Sequence, residues 1–164
     1  SALAIMKRPG AAIAGRPLFV SRPLFDYSGL LEWAADEGFR DPIPAAALHV
    51  TIALSRDPIR QSLPECDNDD LIVRKGRRLV CRFGGVAVLT FSCRELSRRH
   101  AQFRRAGASW DYPTYRPHIT FAIDDDRDLS RISPYRGPLH FGPESYKEPF
   151  DDYACPELPE RTLI

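Results

Sequence analysis

Apolar positions alternate along several short stretches of this chain and recur at helical spacing in two others. That pattern predicts strands punctuated by two helices. Pro17 to Ser21 reads as a first strand, with Leu18 and Val20 on one face and Phe19 on the other. Leu30, Leu31, Trp33, Ala34 and Phe39 recur at helical spacing, with Ser28 as a cap and Gly38 as a stop, so residues 29–37 are expected to form an amphipathic helix. After a connector through Pro42 and Pro44 comes a strand over 48–54. Residues 56–70 are polar, with Pro58, Pro64 and Asp67-Asn68-Asp69-Asp70, and predict a loop with room for one helical turn. Strands are expected over 71–74, 78–83 and 86–91, a meander turned at Lys75-Gly76 and Gly84-Gly85. A second helix is expected over 94–106, between Ser92 as cap and Gly107 as stop. Leu96, His100 and Phe103 form its apolar stripe, and five arginines make most of the rest basic. An aromatic stretch, 110–115, leads into a strand over 115–122 and an acidic turn over 124–128. Short strands near 139–141 and 145–150 close the pattern.

Two of these strands carry the same residues in the same order. Leu48-His49-Val50-Thr51-Ile52 and Pro117-His118-Ile119-Thr120-Phe121 both place a histidine and a threonine two positions apart. In a strand, positions i and i+2 share a face. Each copy therefore sets an imidazole beside a hydroxyl, with Val50 and Ile52, or Ile119 and Phe121, on the other face. A single His-x-Thr on a half-buried strand is unremarkable. Here two of the four histidines have a threonine at that spacing, in a chain with only five threonines, and the copies lie 69 residues apart (118 − 49). Strand, helix and motif strand follow one another in both halves, which points to a duplicated α+β unit.

Two such pairs facing each other supply two proton carriers and two hydrogen-bond donors. Imidazole titrates near pH 6.5, so one ring can start neutral and its partner protonated near neutral pH. Threonine hydroxyls can donate to phosphoryl oxygens as charge builds on them. These are the requirements for splitting a phosphodiester without a metal ion.

Composition narrows the partners. Lys+Arg number 23 against 22 Asp+Glu, so no overall field draws the chain onto long nucleic acid, and a small charged ligand in a local cleft fits better. At 43% hydrophobic the 164 residues can build a core. Residues 1–15 are expected to be flexible and 16–164 to form one domain. No run is apolar enough to span a bilayer and none reads as a signal peptide, so the expected location is the cytoplasm. Cys66, Cys81, Cys93 and Cys155 have neither C-x-x-C spacing nor zinc-ligand spacing and are expected to be free thiols.

The doubled motif resembles that of the two-histidine phosphoesterase superfamily. A narrower resemblance, to the phage anti-CBASS phosphodiesterases, spans about residues 16 to 150. Its residues are Leu18-Phe19-Val20, Glu32-Trp33-Ala34, Gly38-Phe39 and Leu48 to Ala53, then Arg105 to Asp111, Tyr115, the second motif, and Phe141-Gly142-Pro143-Glu144. The resemblance implies an α+β bilobal fold: two antiparallel-sheet lobes, helices outside, and a central cleft. It implies His49, Thr51, His118 and Thr120 as catalytic residues, no metal or other cofactor, and cyclic di- or trinucleotide signals as substrate. It also implies Phe19, Glu144 and Phe150 as substrate-binding residues. A phage-encoded chain of this kind would act in the bacterial host's cytoplasm. Two other readings stay open: an RNA-end 2′,3′-cyclic phosphodiesterase, and a non-catalytic nucleotide sponge.

The remaining features have plainer expectations. His100 reads as a helix-face residue, His140 as an ordinary strand residue, and the arginines of the second helix as a solvated face. Asp124-Asp125-Asp126 lacks the spacing of a calcium loop and reads as a surface turn. Trp110, Tyr112 and Tyr115 suit core packing and base stacking equally.

Overall fold

The computed structural model describes residues 17–147. Phe150 and Cys155, both singled out in the sequence, lie outside them. Eight strands and two helices follow in the order β1 (Leu18–Phe25), α1 (Ser28–Asp36), β2 (His49–Ser55), β3 (Leu71–Val73), β4 (Arg78–Phe83), β5 (Val86–Phe91), α2 (Arg94–Arg105), β6 (His118–Ile123), β7 (Leu139–Phe141) and β8 (Ser145–Lys147). The strands lie in the order β3-β7-β1-β2-β6-β5-β4, with β8 also beside β1, and every pairing is antiparallel.

Alternation assigns the two faces. Val20, Val50, Ile52, Ala87, Leu89, Phe91, Ile119 and Phe121 share one buried cluster with Leu30 and Ala34 of α1 and Leu96 and Phe103 of α2. Both helices therefore cover the same face of the sheet. Each ends where a glycine takes positive φ, Gly38 at 89° and Gly107 at 107°. In each, the next amide reaches back five residues: Phe39 N–H to the Ala34 carbonyl and Ala108 N–H to that of Phe103, 2.9 and 3.0 Å. These are Schellman closures, which require a residue at ease in the left-handed region.

Two antiparallel lobes, one containing β1 and β2 and the other β4, β5 and β6, meet at a narrow seam. The only registered pair between β2 and β6 is Val50 with Ile119. The lobes share a second irregularity. Ser21 pairs with Thr51 but Val20 with Ala53, leaving Ile52 as an extra residue; Val88 pairs with Thr120 but Ala87 with Ala122, leaving Phe121. Each motif threonine is thus followed at once by a β-bulge, a device that bends a strand and re-aims its side chains.

Several elements differ from expectation. β1 runs on to Phe25, because Pro23 lacks only the donor: its carbonyl still accepts from Gly142 N–H at 2.9 Å as β1 passes from β8 to β7. β6 starts at His118 rather than 115, where Pro117 cannot donate to a ladder. Neither predicted cap acts as one. Ser28 is already helical behind Tyr27, and the Ser92 hydroxyl accepts from Arg77 N–H at 3.2 Å. No helical turn forms within 56–70, and β8 is described only over 145–147.

Candidate active site

The seam places both motifs on one face. Val50 and Ile119 point into the core, so His49, Thr51, His118 and Thr120 all lie on the opposite face. His49 and Thr51 flank the Val50 position on β2, and His118 and Thr120 flank the Ile119 position on β6. On the neighbouring strands, Ser21 lies across from Thr51, and Val88 and Thr90 across from Thr120 and His118.

Both imidazoles are held alike. His49 Nδ1 lies 2.7 Å from the Ala47 carbonyl and His118 Nδ1 lies 2.8 Å from the Arg116 carbonyl. A carbonyl oxygen can only accept, so each Nδ1 carries the hydrogen. In the neutral ring, Nε2 then holds the lone pair. That tautomer lets each histidine take a proton at Nε2 or, once protonated, give one from there. The Thr51 hydroxyl is buried and has no hydrogen-bond partner among the described residues, leaving a donor available to an incoming oxygen.

A second layer supports the first motif. The Tyr115 hydroxyl donates to the Thr51 carbonyl at 2.8 Å, and His100 Nδ1 donates to the Ile52 carbonyl at 2.7 Å. The two rings stack, centroids 4.2 Å apart and nearly parallel. Burial pushes the Tyr115 phenol up and the His100 imidazole down, so both stay neutral. Tyr115 and His100 are therefore positioning residues for the bulge after Thr51. Tyr115→Phe is expected to lower stability by about 1 kcal/mol, read from the denaturant midpoint. Trp110 packs with Phe19 and Leu54 in a small separate cluster, and Tyr112 is exposed.

Each motif histidine also meets a phenyl edge. Phe19 stands 5.8 Å from His49. Phe83 stands 4.9 Å from His118, and Arg116 lies over the Phe83 ring at 4.8 Å. Phe83 was not foreseeable. It ends a hairpin strand before Gly84-Gly85, and its tie to His118 runs across β5, which the local pattern does not encode.

Glu144 is not at this face. Its Oε2 accepts from Arg99 Nε at 2.7 Å on α2, and its Oε1 accepts from Asp67 N–H at 2.9 Å and from the same guanidinium. With its side chain fully buried on the helix side, it braces the 67–69 loop rather than reading a base. Arg22 completes the brace, donating to Asp67 Oδ2 at 2.9 Å and to the Asp69 and Gly142 carbonyls. Arg99 thus turns inward, against the expectation of a wholly solvated arginine face.

His140 also departs from its bland expectation. Its two ring nitrogens lie 3.0 Å from Asp26 Oδ2 and 2.7 Å from Asp70 Oδ2. Hydrogen bonds to Asp70, then Asp26, raise its pKa. A raised folded-state value means the contribution is full below the unfolded value near 6.5 and fades as pH climbs through the folded one. His140→Gln is expected to flatten the stability–pH curve across that window, as measured by melting at a series of pH values.

Among the described residues, Cys66, Cys81 and Cys93 are free, and no three His, Cys, Asp or Glu side chains are grouped to hold a metal ion. No described helix is long and apolar enough to cross a membrane. The 124–128 turn is a turn, with Asp124 paired to Arg82 and so held below the usual carboxylate range.

A family model described as "Anti-CBASS protein Acb1" matches residues 16–154. Relatives with that description are 44% identical over 141 residues in Caulobacter sp. (strain RHG1) and 40% identical over 151 residues in Sphingomonas paeninsulae. The alignments cover 81% and 85% of this chain but only 22% and 24% of those proteins, so the chain spans about a quarter of their length or less. A third, from Acinetobacter phage Ac42, is 32% identical over 91 residues, covering 51% of this chain and 56% of the relative. Two solved structures share the fold: a phosphoesterase and E. coli LigT complexed with ATP. Each has a TM-score of 0.55 at 18% identity over 80% of this chain, covering 87% and 85% of the respective structures.

Proposed function

The chain belongs to the anti-CBASS protein Acb1 family, and from that premise we propose that it is a phosphodiesterase that degrades cyclic di- or trinucleotide signals. The reading rests chiefly on four side chains, His49, Thr51, His118 and Thr120, on one face of the β2–β6 seam, with both imidazoles in the same tautomer.

In the proposed step the 2′-hydroxyl of a nucleotide attacks its own 3′-phosphorus. Nε2 of the neutral histidine takes the hydroxyl proton. The bond from phosphorus to the 5′-oxygen breaks, and Nε2–H of the protonated histidine gives that oxygen its proton. The products are a 2′,3′-cyclic phosphate and a free 5′-hydroxyl, and the histidines end with their charges exchanged. Water can open the cyclic phosphate by the reverse transfers. Thr51 and Thr120 donate to the non-bridging oxygens as their charge grows. All four groups belong to the protein, so the step is expected to run without a divalent cation. The reading places this activity in the bacterial cytoplasm, where such signals act.

One assay tests it. A labelled cyclic dinucleotide, a cyclic trinucleotide and a short RNA ending in a 2′,3′-cyclic phosphate are incubated with the protein in EDTA. Linear products with cyclic-phosphate or opened ends, from either cyclic substrate, are the expected result. Turnover of the RNA end alone would replace the substrate class, and bound but intact nucleotide would make the chain a sponge.

A further inference from the structure

We propose that Arg116 binds a second, non-scissile phosphate of the cyclic substrate, held ready for it by Phe83. The proposal rests on the phosphodiesterase reading and concerns the same face of the sheet.

Phe83 pairs with Val86, which shares the His-x-Thr face with Val88 and Thr120. The guanidinium over the Phe83 ring therefore lies on the side of the two motifs, one ring away from the His118 imidazole. The Arg116 backbone is tied to the same place, since its carbonyl holds His118 Nδ1–H. Other guanidiniums around the sheet are spent within the protein: Arg22 on Asp67, Arg82 on Asp124, Arg99 on Glu144. Among the described residues Arg116 has its ring contact and no acceptor. It is exposed. Stacking on Phe83 restricts a long side chain and leaves the fork of N–H donors free at its edge, an arrangement suited to a phosphate.

A cyclic di- or trinucleotide carries one phosphate per nucleotide. With one at the seam, at least one other must lie elsewhere, and in a chain of net charge +1 a local cation suits it better than the overall field does. A substrate with a single phosphodiester makes no such demand. Arg116 would then favour substrates with two phosphates over those with one.

The test compares a cyclic dinucleotide with a dinucleoside monophosphate, which has the 2′-hydroxyl and the scissile phosphate but no second one. Arg116→Ala is expected to lower the ratio of kcat/KM for the cyclic over the linear substrate by about 10- to 100-fold, through KM. Arg116→Lys, which keeps the charge and loses the fork, should recover part of it. Phe83→Leu should reproduce part of the loss. An unchanged ratio in Arg116→Ala, with both substrates affected equally or not at all, overturns the proposal. If the wild-type chain turns over neither substrate, nor a cyclic trinucleotide, the phosphodiesterase reading fails separately. Arg116 is then judged by calorimetric binding of the cyclic dinucleotide: a tenfold weakening in Arg116→Ala upholds it, and unchanged affinity, or no wild-type binding, overturns it.

Discussion

Alanine at His49, or at His118, is expected to slow cleavage of a cyclic dinucleotide by 10²- to 10⁴-fold, the usual worth of a positioned general acid or base. In the proposed step each ring makes one transfer at Nε2, to or from a different oxygen, so neither would replace the other. The double variant should lose little more than either single one, since both transfers belong to one step. Thr51→Ala and Thr120→Ala should cost less, as each removes one of two donors to the growing charge. The wild-type rate should be bell-shaped between about pH 5 and 8, with one limb from the ring that must be neutral and one from the ring that must be protonated. Initial rates in EDTA measure all of this. Full activity in either histidine variant would remove that residue from the chemistry.

Glu144→Ala is expected to destabilise the fold by on the order of 3 kcal/mol. The change orphans Asp67 N–H and leaves the largely buried Arg99 without its counter-charge. Glu144→Gln retains the acceptor for Asp67 and should cost less. A double-mutant cycle with Arg99→Ala should return a coupling of at least 0.5 kcal/mol. Denaturant midpoints give these values. A base-reading carboxylate predicts the opposite outcome: near-normal stability and an altered preference among purine and pyrimidine cyclic dinucleotides.

What the sequence reveals of this fold follows from how local each cause is. The apolar alternation of 78–83 and 86–91 and the stops at Gly38 and Gly107 act within a few residues, and those elements form where the pattern places them. The two motifs are legible because i and i+2 share a face whatever the strand pairs with. Proline reads as a breaker from sequence, so β1 reaching Phe25 through Pro23 depends on a neighbour, β7, that arrives more than a hundred residues later. Distance along the chain also hides Phe83 from His118, Arg99 from Glu144, and Asp26 and Asp70 from His140. A polar residue in a recognisable segment, as Glu144 is, does not disclose which way it points.

The arrangement at Val50 and Ile119 has one more consequence. Each motif brings one imidazole and one hydroxyl to the shared face, so the proposed set of four draws on both sides of the join. A polypeptide bearing a single His-x-Thr would have to meet another molecule to do the same work, and its output would fall on dilution. Covalent linkage fixes the stoichiometry of the two motifs at one to one. It also releases the partners from symmetry: Phe19 flanks one ring, while Phe83 and Arg116 flank the other. In the proposed reaction the entering and departing oxygens would thus meet different surroundings.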